Sequence, residues 1–115
     1  MDRDKNETLV RLISDLRRLS IEAGVGLWKR VAADLERPAR KAREVNLYKI
    51  DAVCQDDETV LVPGKVLGVG TLSKPVKVAA YAFSAQARAK LNERALTIPQ
   101  LMKENPKGRN VRLVG

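Results

Sequence analysis

From Asn6 onward, Leu9, Leu12, Ile13, Leu16 and Leu19 recur at the three-and-four spacing of one helical face. Asp4 and Glu7 lie toward the positive end of the helix dipole, and Gly24 stands where the helix must stop. The spacing predicts a helix over 7–23. Val25 and Gly26 make a short turn, and Leu27, Trp28, Val31, Ala32 and Leu35 repeat the pattern until Pro38 removes the donor that a further turn needs. Two amphipathic stripes this close in sequence predict a helical hairpin. Trp28 belongs to the second stripe and reads as a core anchor rather than a stacking surface.

The stretch RPARKARE has no apolar anchors and reads as an extended or irregular arm that ends at Asn46. Asn46 is placed to cap a short helix that buries Leu47, Ile50, Val53 and Cys54. QDDE lacks the spaced oxygen ligands of a divalent-metal loop and reads as a solvated turn. Beyond Thr59 the rhythm changes. TVLV, closed by Pro63 and Gly64, predicts one short strand, KVL a second, and VKVAAYAF the longest strand. Ser84 can cap a helix over 85–95 with Ala87, Leu91 and Ala95 on one side. Thr97 and Gln100 form a capping-box pair for another short helix, stopped at Asn105 and Pro106, and NVRLV supplies a last strand. The order predicts an α/β fold: an N-terminal helical hairpin packed beside strands and short helices. Residues 1–58 are mainly helical with a basic arm at 37–45, and 59–115 form the α/β part of one domain spanning 1–115. There is no internal repeat or low-complexity tract.

Length sets the scale of the core. A chain of 115 residues buries about 65% of its unfolded surface, enough for a single modest core. The formal net charge is +8, and it is unevenly placed. Residues 1–59 hold 12 Lys+Arg and 12 Asp+Glu, whereas residues 60–115 hold 10 and 2, a surplus of eight. Within the balanced half, Arg37, Arg40, Lys41, Arg43 and Lys49 cluster against Glu44 alone. A surface that needs only to be soluble works best with both signs mixed, so two cationic regions point to a polyanion.

The residue types exclude several chemistries. With no His there is no imidazole base, nucleophile pair or His metal ligand. One cysteine, Cys54, allows no internal disulfide and fits a reducing compartment. Neither a secretion signal nor a membrane-length apolar run is visible, which predicts an intracellular soluble protein. The glycine-rich segment at 63–70, PGKVLGVG, lacks both the Ser/Thr that follows a phosphate-loop lysine and the third glycine of a dinucleotide turn. It reads as a turn whose glycines supply positive φ and whose N–H groups and Lys65 can approach a phosphate. No spacing among the 14 acids suggests a catalytic pair. The expectation is a protein that is no enzyme, with no cofactor, no metal and no small-molecule substrate.

LERPARKAREVNLYKI, TVLVPGKVLGVGTL, VKVAAYAFSAQARAKL and ENPKG, in this order and at this spacing, resemble the archaeal and eukaryotic large-subunit ribosomal protein numbered eighteen, in its archaeal form. That family is related to bacterial large-subunit protein fifteen, and the likeness runs from about Leu9 to Val114. It implies an irregular superhelix of strand, strand, helix units behind the helical hairpin. It also implies a structural constituent of the large ribosomal subunit, cytoplasmic, bound to large-subunit ribosomal RNA and set among neighbouring ribosomal proteins. The family's basic segment maps to Arg40, Lys41 and Arg43, its Val-Asn-Leu to Val45, Asn46 and Leu47, and its Pro-Gly-Lys turn to Pro63, Gly64 and Lys65. Relatives commonly carry basic residues or a His where this chain has Ala39 and Ala42. The candidate RNA-binding residues are Arg37, Arg40, Lys41, Arg43, Asn46, Lys49, Lys65, Lys74 and Lys107. The alternative is an RNA-binding protein or RNA chaperone outside the ribosome.

Overall fold

The computed structural model describes residues 7–37 and 44–115. Two helices, α1 (Glu7–Ala23) and α2 (Gly26–Glu36), form the expected hairpin and bury Leu9, Leu12, Ile13 and Leu16 against Trp28, Val31, Ala32 and Leu35. Gly24, at φ 68, turns the chain between them. The Val25 N–H donates to the Ser20 carbonyl (3.1 Å) and the Ser20 hydroxyl to the Val25 carbonyl (2.7 Å), which satisfies the end of α1. Arg17 and Glu36 pair across the hairpin. Trp28 is fully buried, and its indole N–H donates to the Pro106 carbonyl at 2.8 Å, fastening the hairpin to the far end of the sequence.

The rest is β1 (Glu44–Asn46), α3 (Leu47–Val53), β2 (Thr59–Leu67), β3 (Val78–Phe83), α4 (Ala85–Leu91), β4 (Ala95–Thr97), α5 (Ile98–Glu104) and β5 (Val111–Leu113). All pairings are parallel, in the order β1, β2, β3, β4, with β5 also on β2. Helices cover both faces. Val60, Val62, Val66, Val78 and Ala80 join α3 and α4 in one core, while Leu61 and Ala79 join the hairpin and α5 in the other. Strands buried on both sides need no polar alternation, which is why TVLV and VAAYAF read as apolar runs.

Several expectations are corrected. The strands expected on either side of Pro63 and Gly64 are one nine-residue strand, β2, and it is longer than β3. Its β3 pairing shifts register between Val62 and Lys65. On its other edge β5 pairs with 59–61 and β1 with 65–67. Pro63, which has no N–H, lies in the gap between those two pairings, where no ladder bond is lost. The arm expected to be extended or irregular as far as Asn46 is extended over its described last residues, 44–46, as strand β1. Val53 is 41% exposed instead of buried. The helix expected over 85–95 ends at Leu91: Asn92 adopts φ 53, a single 3₁₀ turn follows, and Ala95 begins β4. In the segment 63–70, positive φ falls on Gly70 (90°), while Gly64 lies buried inside β2.

Other expectations hold. Ser84 caps α4 by accepting from the Ala87 N–H, and Thr97 and Gln100 form a complete capping box on α5. Cys54 is buried, and the loss of solvent pushes its thiol pKa up.

Candidate nucleic-acid interface

The described residues that flank the arm, Arg37 and Glu44–Asn46, lie beside the edge of β2 that β1 and β5 share. The arm departs at Arg37, which is extended and exposed and whose N–H donates to the Asp34 carbonyl at 3.3 Å. Arg37 and Arg30 line a polar recess whose other wall is Pro63 and the C-terminal residues 113–115. The arm returns as β1, where Glu44 is registered beside Lys65, Val45 beside Val66 and Asn46 beside Leu67. Arg40, Lys41 and Arg43 lie outside the described residues. The residues around them run from a recess at Pro63 to a strand at Lys65, so both ends of the arm meet one short piece of sheet.

Lys65 is the only exposed residue of β2. A lysine in the middle of a buried strand can lay its aliphatic stem against apolar neighbours while its ammonium stays in water. Its side chain makes no hydrogen bond, ion pair or ring contact with other described residues, so its charge is uncommitted among them.

Asn46 does not cap α3. Its Oδ1 accepts from the Val69 N–H (3.2 Å), and the Tyr48 N–H donates to the Val69 carbonyl (3.1 Å). These bonds prolong the β1–β2 ladder by one step beyond Leu67. Lys49, the next residue, is exposed. Lys74 is half-buried and donates to the carbonyls of Asp51 and Cys54, both at 2.6 Å, which closes the C-terminal end of α3. Lys107 donates to the Ala23 carbonyl at 3.4 Å, closing α1 in the same way. The structure thus gathers Arg37, Asn46, Lys49 and Lys65 around β1 and its edge of β2, and sets Lys74 and Lys107 at two helix ends.

Three further cationic side chains, placed by the structure, had no clear sequence signal. Arg30 is exposed on α2 seven residues before Arg37, a spacing of two helical turns that could have suggested a shared face. Lys90 donates to the carbonyls of Gly68 and Gly70, both at 2.8 Å, and Arg94 donates to those of Lys74 (2.9 Å) and Leu72 (3.3 Å). With Lys74 they lace the irregular segment 68–77 to the helices. Asp51 completes the lacing: its Oδ1 accepts from the Ser73 hydroxyl (2.9 Å) and N–H (3.0 Å), which holds its carboxyl below the ordinary carboxylate range. Much of the C-terminal cation surplus therefore binds backbone carbonyls, which need no acidic residue as partner. Elsewhere Arg112 pairs with Glu58 (2.7 Å) and Lys77 with Glu104 (3.7 Å), and Arg88 lies over the Phe83 ring at 5.2 Å. Among the described residues, no cluster of three or more His, Cys, Asp or Glu could hold a metal, and no helix is long and apolar enough to cross a membrane.

Residues 25–94 match the family of ribosomal proteins described as 50S-L15, 50S-L18e and 60S-L27A. The chain belongs to this ribosomal-protein family. Similarity extends past the matched segment. The chain is 46% identical to the large ribosomal subunit protein eL18 of Methanothermobacter thermautotrophicus, over 95% of this chain and 93% of that protein. It is 46% identical to the protein of that name from Archaeoglobus fulgidus, over 97% and 98%, and 44% identical to that of Haloarcula marismortui, over 95% and 96%. The family match takes in α2, the arm, β1, Lys65 and the laced segment, and it leaves α1, α5, β5 and Lys107 outside.

Proposed function

We propose that this chain is a structural constituent of the large ribosomal subunit in the cytoplasm, binding large-subunit ribosomal RNA through Lys/Arg–phosphate contacts and supporting translation among neighbouring ribosomal proteins. The observation that carries the reading is the β1–β2 register: it aligns the end of a segment holding Arg40, Lys41 and Arg43 with Lys65, the one uncommitted cation of a buried strand. A rigid sheet edge fixes Lys65 beside Glu44, the residue that follows those three, and a cation fixed in this way suits the phosphates of one folded RNA better than those of a random coil. Each contact releases condensed counterions, and that release supplies most of the affinity. Arg30 and Arg37 flank the group on one side, and Asn46 and Lys49 continue it on the other. Lys74 and Lys107 contribute charge while holding helix ends, since an ammonium has three donors and these carbonyls use two of them and one of them respectively. Duplex RNA is held mainly through shape, backbone and 2′-hydroxyls, which suits a chain with 3% aromatics. Positioning of this kind needs neither cofactor nor catalysis.

Gradient sedimentation of a lysate expressing the tagged full chain tests the reading. Stoichiometric migration with large subunits is the expected result. A dominant pool in the light fractions would overturn it and favour an RNA-binding protein that acts away from the ribosome.

A further inference from the structure

Tyr48 lies in the first turn of α3, yet it is 59% exposed, and Val69 beside it is 57% exposed. Both are apolar groups on a surface whose other exposed side chains are mainly polar. Their backbones are pinned together: Val69 accepts from the Tyr48 N–H at 3.1 Å and donates to Asn46 Oδ1 at 3.2 Å. Gly70, at φ 90, brings its own backbone so close that a Cβ there would stand 2.6 Å from the Tyr48 Cβ and 2.8 Å from its nitrogen. Lys90 binds the carbonyls on either side of Val69, those of Gly68 and Gly70, at 2.8 Å each. An aromatic ring is therefore presented to solvent from a locally braced backbone, where a mobile exposed tyrosine would be the ordinary case.

The electrostatic surroundings select the occupant. Residues 59–92 contain five Lys and Arg and no Asp or Glu. Lys49 is exposed next to Tyr48, and the nearest acid in sequence, Asp51, has its carboxylate bonded to Ser73. An exposed aromatic face with Lys49 next to it and Lys90 bonded to the adjoining segment is what an unpaired nucleotide needs: the base covers the ring while its phosphates meet the ammonium groups. From this we infer that Tyr48, with Val69, is a platform on which one unstacked base of the bound RNA rests, at the end of the same β1–β2 edge that carries Lys65. This rests on the RNA-binding reading above and adds that the RNA is single-stranded at this point.

The test uses the full chain and protein-free large-subunit ribosomal RNA of the same organism, with dissociation constants measured over a KCl series for wild type, Tyr48→Ala and Tyr48→Phe. Stacking is insensitive to salt, so Tyr48→Ala should bind about 5- to 100-fold more weakly at every concentration, with an unchanged log–log slope. Tyr48→Phe keeps the face and should bind within about twofold of wild type. The platform is refuted if Tyr48→Ala binds like wild type, if Tyr48→Phe loses as much as Tyr48→Ala, or if the slope flattens. Should wild type bind with normal salt dependence while Tyr48→Ala is unaffected, only the platform falls, and the patch belongs to a protein neighbour. If wild type itself fails to bind, the ribosomal RNA reading falls with it.

Discussion

Replacing Gly70 by Ala tests how tightly the laced segment is packed on α3. Two costs combine. At φ 90 an L side chain is strained by about 1–2 kcal/mol. The added Cβ would also lie 2.6, 2.8 and 3.0 Å from the Cβ, N and Cα of Tyr48, where it meets mostly backbone that cannot rotate away. Relief requires the segment to move off α3, which strains the Tyr48–Val69 hydrogen bond and the Lys90 contacts, and overpacking of this kind costs about 1–3 kcal/mol. The sum is about 2–5 kcal/mol. Gly24 is the internal control: it has φ 68 but nothing within 4 Å of its hypothetical Cβ, so Gly24→Ala should cost about 1–2 kcal/mol, from strain alone. Urea unfolding followed by the fluorescence of Trp28, the single tryptophan and fully buried, measures both. The melting temperature should fall by roughly 4 °C per kcal/mol for a domain of this size, so Gly70→Ala is expected to drop two to three times as far as Gly24→Ala. Equal losses in the two variants would refute the close approach of the segment to Tyr48.

The remaining predictions concern the core, a cap and acid stability. Trp28→Phe shrinks a fully buried side chain and leaves the Pro106 carbonyl without its donor, so a loss of about 2–4 kcal/mol is expected by urea titration followed by far-UV circular dichroism, since this variant has no tryptophan; a loss below about 1 kcal/mol would mean the indole bond is unimportant. Thr97→Ala removes the capping box of α5 and should cost about 1 kcal/mol, with Thr97→Ser nearly neutral. For pH, the Glu58 carboxyl is held low by hydrogen bonds from the Arg112 side chain and the Gln55 N–H, and Asp51 by Ser73. Depressed folded values mean that these groups stabilise the fold above the unfolded carboxylate range of about 4 and that this contribution is lost as pH falls through the folded values. With no His, stability should be flat from about pH 6 to 8 and should fall only below about pH 4.5. Glu58→Gln should make the acid limb shallower, and an unaltered limb would remove Glu58 from the account.

Local signals were legible wherever a few neighbouring residues decide the outcome. The Leu9-to-Leu16 stripe, Gly24, Ser84 and the Thr97–Gln100 box each act within one or two turns, and the helix start or stop that each one sets falls where the spacing predicts it. Illegible were features decided by distant partners. Pro63 and Gly64 look like a strand terminator, yet β2 runs through them because β5 and β1 leave a gap at that point on its edge. Val45 shows no strand periodicity in a three-residue element, whose existence depends on Val66 across the ladder. The helix after Ser84 has good helix formers up to Ala95, but Asn92 turns at positive φ and Ala95 is drawn into pairing with Val78. For the candidate interface, the charge count pointed to the basic arm and Lys65, but it could not separate uncommitted cations from those bound to carbonyls. Lys90 and Arg94 look as available as Lys65 in sequence, and only the path of the segment 68–77 determines that they are engaged.

The central claim is that Arg40, Lys41, Arg43 and Lys65 neutralise phosphates of one RNA. It is tested most directly by the salt dependence of binding to protein-free large-subunit ribosomal RNA, comparing wild type with the variant that carries alanine at all four positions. Loss of four contacts should reduce the steepness of log K against log[KCl] by about 3, and the two lines should converge at high salt. Parallel lines of equal slope would contradict the claim, whatever the absolute affinities.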